Sequence, residues 1–321
     1  MKLPHAVVVL ERGWLSSNNI VFLDDAPAVV DTGYVTHADE TLRLLDGALA
    51  GRPLRRIVNT HLHSDHAGGN AALQARAQAE HDGHKGWAGL QTLIPPGEAD
   101  LVDSWDEDRL SYRHTSQQCP RFAYDGLIAP GDTLRLGGED WQVLPAAGHD
   151  HAMVMLWCER LGILISADAL WQKGFGVIFP ELMGVGGFAE QAATLDLIGQ
   201  LAPRVVIPGH GAPFSEDTGA VTAALQAARS RIGWLSEDPR RNADNALKVL
   251  LAFKLLEARR LSLSALTGMV EASFAGNPAM RALYPAEPEA IAALMAQELV
   301  RAGAASLQDG VLVARRARDP V

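Results

Sequence analysis

Residues 60–69 read Thr60-His61-Leu62-His63-Ser64-Asp65-His66-Ala67-Gly68-Gly69. Three imidazoles and a carboxylate within positions 61–66 make a poor core and an unusual surface, but they suit a transition metal. Imidazole nitrogen combined with carboxylate oxygen favours zinc, with iron and manganese as the alternatives. The run before the cluster, Arg55-Arg56-Ile57-Val58-Asn59-Thr60, reads as a short buried strand ending in a polar turn, and 71–80 reads as a helix. The cluster therefore falls on a strand-to-helix loop, where α/β scaffolds place catalytic groups. In an extended segment His61 and His63 point the same way and can share one metal. Asp65 and His66 lie past the bend and can face a second. A solvated polar loop is the competing reading.

A two-metal site needs further ligands. His149 follows the strand-like Trp141-Gln142-Val143-Leu144, Asp168 follows Gly162-Ile163-Leu164-Ile165-Ser166-Ala167, and His210 follows Arg204-Val205-Val206-Ile207-Pro208-Gly209. Each ends an apolar run, at the position where open α/β sheets carry their chemistry.

The His-x-His-x-Asp-His signature at 61–66, followed by Gly148-His149, Ala167-Asp168-Ala169 and Pro208-Gly209-His210-Gly211, resembles the metallo-β-lactamase superfamily. The resemblance spans roughly residues 5–215 and implies an α/β fold, a four-layer αββα sandwich. It implies that His61, His63 and His149 hold a first divalent ion, that Asp65, His66 and His210 hold a second, and that Asp168 bridges them. Two ions about 3.5–4 Å apart bridge a water and lower its pKa toward ~7, giving a hydroxide that attacks an electrophilic carbonyl or phosphorus. Asp65 would both ligate and act catalytically, orienting the nucleophile and passing a proton to the leaving group. The nearest branch is the hydroxyacylglutathione hydrolase (glyoxalase II) type. The segment Gly148-His149-Asp150-His151-Ala152-Met153 departs from it, since many members carry Thr where Asp150 stands and a small residue or histidine where Met153 stands. Asp150 could orient a metal-bound imidazole, and His151 either points into the pocket or, the preferred reading, is an exposed strand residue.

The remaining chain supports a sandwich. Residues 6–10, 19–24 and 27–31 read as strands, 39–50 as a helix, 153–167 as a hairpin, 188–201 as a helix and 204–207 as a strand. The recurring order suggests a duplicated unit packed face to face, with the metals along the edge where the halves meet. Asp31 occupies the place in the first half that Asp168 holds in the second, and is read as a turn or helix-start residue in preference to a supporting role at the metals. Residues 81–130, with Trp87, Trp105, Tyr112, Phe122 and Tyr124, break the pattern as an insertion. They form either a lid, with Tyr112 as a substrate-binding candidate, or an excursion with its own small core. His81, His84 and His114 there are read as surface residues. In the loop after Asp168, Trp171, Phe175 and Phe179 are the substrate-pocket candidates, with packing under a long loop as the alternative.

The texture changes beyond Phe214, so the expected division is a catalytic domain over 1–217 and a mainly helical domain over 218–321. Helices are expected at 218–236, 241–260, 263–273 and 288–302, then a hairpin at 305–314 turning at Asp309-Gly310. That order resembles a winged-helix-like appendage. Its candidate recognition helix is Ala- and Glu-rich, which favours packing or a homodimer contact over DNA binding.

Net charge is −10, which argues against a nucleic-acid partner or an anionic membrane surface, although Arg315, Arg316 and Arg318 could make a local basic patch. Cys119 and Cys158 are read as ordinary buried thiols rather than a disulfide framework. The apolar run at the start is too short for a signal peptide and no stretch reaches transmembrane length, so the reading is cytoplasmic. The expected activity is hydrolysis of a small thioester or lactone. The alternatives are a ribonuclease or phosphodiesterase of the same fold, a β-lactamase, and an iron-dependent thiol redox enzyme.

Overall fold

The computed structural model describes residues 2–82 and 89–315, so His84, Trp87, Arg316, Arg318 and the side chain of His81 lie outside the described residues. One six-stranded sheet runs in the order β1 (Val7–Leu10), β2 (Asn19–Phe22), β3 (Ala28–Val30), β4 (Arg56–Val58), β5 (Gln91–Ile94) and β6 (Gly126–Leu127). A second contains β7 (Thr133–Leu136), β8 (Glu139–Pro145), β9 (Val154–Cys158), β10 (Ile163–Ala167), β11 (Val205–Pro208) and β12 (Phe214–Ser215), ordered from β12 at one edge to β7 at the other.

Side-chain alternation along the strands explains the layering. Ile20 and Phe22 of β2 and Ile163 and Ile165 of β10 point into one core shared by both sheets, where Phe22 meets Trp141 edge-on at 5.2 Å. Val21, pointing the other way, packs with Leu45 and Leu49 of the helix Ala38–Leu49 and Leu73 of the helix Asn70–Asp82. Leu164 likewise packs with Leu195 and Ile198 of the helix Phe188–Leu201 and Leu225 of the helix Ala220–Ser236. Strands buried on both faces read as near-continuous apolar runs such as Ile163-Leu164-Ile165. The result is helix, sheet, sheet, helix, the expected four layers.

The halves also share a topology. In each, an antiparallel pair (β2–β3, β9–β10) leads through a helix to a strand that pairs parallel with the second member (β3–β4, β10–β11). Asp31 leaves β3, the histidine run leaves β4, Asp168 leaves β10 and His210 leaves the end of β11. All four exits lie at the same end of the parallel strands, as the sheet rule requires.

The segment 81–130 divides into two kinds of structure. Its ends extend the first sheet, because β5 pairs parallel to β4 and β6 pairs parallel to β5. Its middle builds a small core in which Leu101, Leu110, Tyr112 and Phe122 pack with Leu62 and Ala67 of the histidine loop. The C-terminal region contains the helices Ala220–Ser236, Pro239–Ala258, Leu263–Gly276, Pro278–Ala282 and Pro288–Arg301. Beyond the expected hairpin, β14 (Ala305–Gln308) with β15 (Val311–Ala314), a short strand β13 (Arg260–Ser262) joins to make three strands. Asp309 and Gly310 both have positive φ, +49° and +76°, the backbone a tight hairpin turn demands. No helix among the described residues is long and apolar enough to cross a membrane.

Candidate metal centre

The histidine run is held from several sides. Asp65 and His66 lie on a one-turn helix, Ser64–Ala67, rather than on open loop, while His61 and His63 precede it. From below, the buried Tyr112 hydroxyl donates to the Leu62 carbonyl at 2.7 Å. Asp31, 1% exposed and in left-handed backbone at φ +57°, accepts the Thr60 amide at 2.9 Å on Oδ1. Its Oδ2 accepts the Thr60 hydroxyl at 2.8 Å and lies 2.8 Å from His66 Nδ1.

These contacts assign the imidazole protons. The Thr60 hydroxyl is committed to Asp31, so its oxygen accepts from His61 Nδ1 at 3.1 Å. His66 Nδ1 donates to Asp31, and His149 Nδ1 donates to the Val177 carbonyl at 2.6 Å. The Nε2 lone pairs of His61, His66 and His149 are thereby turned inward.

Where they converge, a proton is not enough. His61 Nε2 lies 3.0 Å and His149 Nε2 lies 2.8 Å from the same atom, His63 Nδ1. One proton on His63 cannot serve both lone pairs, whereas one cation between the three nitrogens can. His66 Nε2 is buried without a hydrogen bond among the described residues and faces Asp168 Oδ1 at 3.4 Å. Asp168 Oδ2 lies 3.4 Å from His149 Nε2 and 3.9 Å from His210 Nε2, which stands 3.1 Å from Asp65 Oδ2. Three ligand groups result, each with its donor atoms within 4.8 Å: His61-His63-His149, His61-His66-Asp168 and Asp65-His66-His210. All seven residues proposed as ligands are thus brought together, with Asp168 in contact with both sides. Backbone clearance matches, since a Cβ at Gly209 would sit 2.2 Å from Asp168 Oδ1 and one at Gly176 would sit 2.3 Å from His149 Nδ1. The donor set fits divalent metal ions.

Electrostatics agree. Burial, then the neighbouring imidazoles, pushes His61 well below its ordinary pKa and His63 down to about 4, which keeps both lone pairs free. Burial also opposes charge on His66, but the carboxylates of Asp168, Asp31 and Asp65 outweigh it and raise its pKa well above the usual value. Asp168 is buried too, yet His66, His210 and His149 hold it well below the carboxylate range. The pocket concentrates negative charge and favours a cation.

The four aromatic candidates part company. Trp171 lies at the site, its Nε1 donating to Asp168 Oδ1 at 3.2 Å and its ring edge-on to His210 at 5.3 Å. Phe179 meets His63 at 5.3 Å and His149 at 5.7 Å. Phe175 instead points into the second sheet's helix-side core, 2% exposed, with the Arg231 guanidinium over its ring. Tyr112 lies beneath the histidine loop rather than on an open face. Asp150, 6% exposed, reaches His63 Nε2 at 3.8 Å, and His151 is exposed on a bend rather than a strand. Cys119 and Cys158 are free and buried, and burial pushes the Cys119 thiol up to about 12. Asp31, Thr60 and Trp14 are parts of the site that sequence reading did not assign. For Asp31 the signal was its duplicated position at a strand end, and for Thr60 its place before His61. Trp14 had none.

Comparison with known proteins gives a consistent result. A family model described as the metallo-beta-lactamase superfamily matches residues 12–210. The chain is similar to a probable metallo-hydrolase, YqjP, of Bacillus subtilis, 26% identical over 74% of this chain and 79% of that protein. It is also similar to a hydroxyacylglutathione hydrolase of Rhodobacter capsulatus, 28% identical over 56% of each, so the match spans little more than half of that relative's length. Among solved structures, a beta-lactamase domain protein from Burkholderia ambifaria aligns with TM-score 0.58 at 20% identity, covering 98% of this chain and 94% of that one. A metallo-beta-lactamase family protein from Thermus thermophilus aligns with TM-score 0.54 at 17% identity, covering 98% and 100%. At those identities the two structures speak to fold alone.

Proposed function

We propose a substrate class and a mechanism on one premise: this chain belongs to the metallo-beta-lactamase superfamily and is a metal-binding hydrolase of it. The reading is a two-ion enzyme, zinc first, that hydrolyses a small thioester or lactone. The observation that carries it is the pair of ligand groups either side of Asp168, with His63 Nδ1 facing two imidazole lone pairs on one side and Asp65 facing His210 on the other.

His61, His63 and His149 would hold one ion, Asp65, His66 and His210 the other, and Asp168 both. Bound there, the ions supply a water acidified toward neutral pH and stabilisation of the charge that develops on the attacked carbonyl oxygen. Asp65, whose carboxylate is the more exposed of those in the cluster, takes the proton of the attacking water and delivers it to the leaving sulfur or oxygen. Trp171 fixes one oxygen of Asp168 through its indole N–H. Phe179 and Trp171 flank the ligands with apolar surface, which favours an acyl or aromatic group on the substrate. Similarity to hydroxyacylglutathione hydrolases supports a thioester. The net charge of −10 weighs against a polyanionic phosphodiester.

The test is metal content by elemental analysis beside hydrolysis of thioester, lactone, phosphodiester and β-lactam panels. Two zinc ions per chain with metal-dependent thioester or lactone turnover is the expected result. Stoichiometric iron without hydrolysis would move the assignment to thiol redox chemistry, and failure to take up metal on reconstitution would end the two-ion reading.

A further inference from the structure

Three of the five clustered imidazoles are steered by a hydrogen bond on the nitrogen turned away from the others: His61 by Thr60, His66 by Asp31 and His149 by the Val177 carbonyl. His63 turns that nitrogen toward Asp150. His210 differs. Its Nδ1 is buried and has no hydrogen-bond partner among the described residues. Away from the carboxylates at Nε2, two indoles pack against its ring. Trp14 stacks on it with centroids 5.5 Å apart and planes 16° from parallel, Trp171 meets it edge-on at 5.3 Å, and the two indoles meet each other at 5.5 Å. An imidazole without a hydrogen bond on its outer nitrogen has a broad χ2 well, so packing must set its orientation.

The loop that carries Trp14 is built onto the same place. The Ser17 amide donates to the Asp65 carbonyl at 2.9 Å. The Asn18 amide donates to the Gly209 carbonyl at 2.7 Å, and its buried side chain donates to the carbonyls of Pro208 at 3.0 Å and Gly211 at 2.7 Å. The loop therefore grips the backbone on both sides of His210 and behind Asp65. Yet Trp14 itself is 59% exposed, so its indole adds little to the core.

We propose that Trp14 is a positioning residue for His210. Its indole, braced by Trp171, holds the imidazole in the orientation that presents Nε2 toward Asp65, and so sets the affinity of the ion on the Asp65-His66-His210 side. The inference rests on the two-ion reading above.

The full chain, stripped of metal, would be titrated with zinc against a chromophoric chelator, and with cobalt to read the absorption band of each ion. Replacing Trp14→Ala should raise one of the two dissociation constants about tenfold, the low end for loss of a group that orients a ligand, and leave the other unchanged. Trp14→Phe should recover most of the affinity, because a flat ring is kept. Both dissociation constants at wild-type values in Trp14→Ala would overturn the proposal, including the case in which KM alone rises and the indole is a substrate surface. A wild-type chain that takes up fewer than two ions would remove the two-ion reading and this proposal with it, and that failure appears in the wild-type arm.

Discussion

Asp31 is joined to His66 by a 2.8 Å contact between Oδ2 and Nδ1, across 35 positions of sequence, and the same carboxylate controls His61 through the Thr60 hydroxyl. One buried side chain thus fixes the proton positions of two proposed ligands. Asp31→Asn keeps the shape but replaces one acceptor oxygen with a donor, so at least one of the three bonds from Thr60 and His66 is lost. The expected effect is a 10–100-fold weaker hold on metal, read as ions retained after dialysis against a chelator, with activity partly restored by excess metal. Wild-type retention would reduce Asp31 to a turn residue.

Asp65 stands apart from Asp31 and Asp168 because its side chain is 17% exposed, with Oδ2 3.1 Å from His210 Nε2. Asp65→Ala is expected to lower kcat by orders of magnitude while the His61-His63-His149 group keeps its ion. Stopped-flow or steady-state rates on metal-saturated protein decide the point, and an unchanged kcat would take Asp65 out of the reaction.

Most of this candidate centre is visible in the chain because each proposed ligand follows an apolar run, and apolar runs buried on both faces mark strands. His61, His63, Asp65 and His66 needed only local spacing. Asp31 was harder: a lone Asp-Thr-Gly after a strand reads as a turn, and its left-handed backbone is indeed turn-like. Its contact with His66 arises only when the two parallel strands β3 and β4 bring their ends together. Phe175 and Tyr112 failed as pocket walls for a related reason. Which way an aromatic points depends on what packs over it, and Arg231 of a distant helix and Leu62 of the histidine loop lie outside any local window. Trp14 is an isolated indole in a polar loop, and its meaning comes wholly from His210.

Glu98 gives a pH signature of stability. It is 8% exposed, and burial, then the nearby Asp150, raises its pKa well above 4.5. The folded chain therefore keeps a proton that the unfolded chain releases, so stability falls as pH rises from the ordinary carboxyl value toward the folded one. Glu98→Gln mimics the protonated form and removes this slope. Between pH 5 and 8 the variant's Tm should gain steadily on the wild type, with metal loading held constant. Parallel curves would mean that Glu98 is ionised when folded.

The C-terminal helix Pro239–Ala258 is tied to the sandwich at Glu257. Its carboxylate accepts from the Tyr34 hydroxyl at 3.1 Å, from Gln118 Nε2 at 2.8 Å and from Lys254 at 2.9 Å, while Phe253 meets the Tyr34 ring edge-on at 4.9 Å. Tyr34 follows Gly33 at the exit of β3, and Gln118 belongs to the segment packed under the histidine loop, so one side chain joins three parts of the fold. Glu257→Ala takes the acceptor from the buried Tyr34 hydroxyl and leaves Lys254 with the Ser116 carbonyl at 3.0 Å, and a loss of about 1–3 kcal/mol is expected in denaturant unfolding. Because the partners of Glu257 among the described residues are Tyr34, Gln118 and Lys254 and not the proposed ligands, metal content should stay at the wild-type value. If the helices merely lie against the sandwich, unfolding will not move. If they help to set the loops around the metals, the stability loss will come with a raised KM and an unchanged metal count.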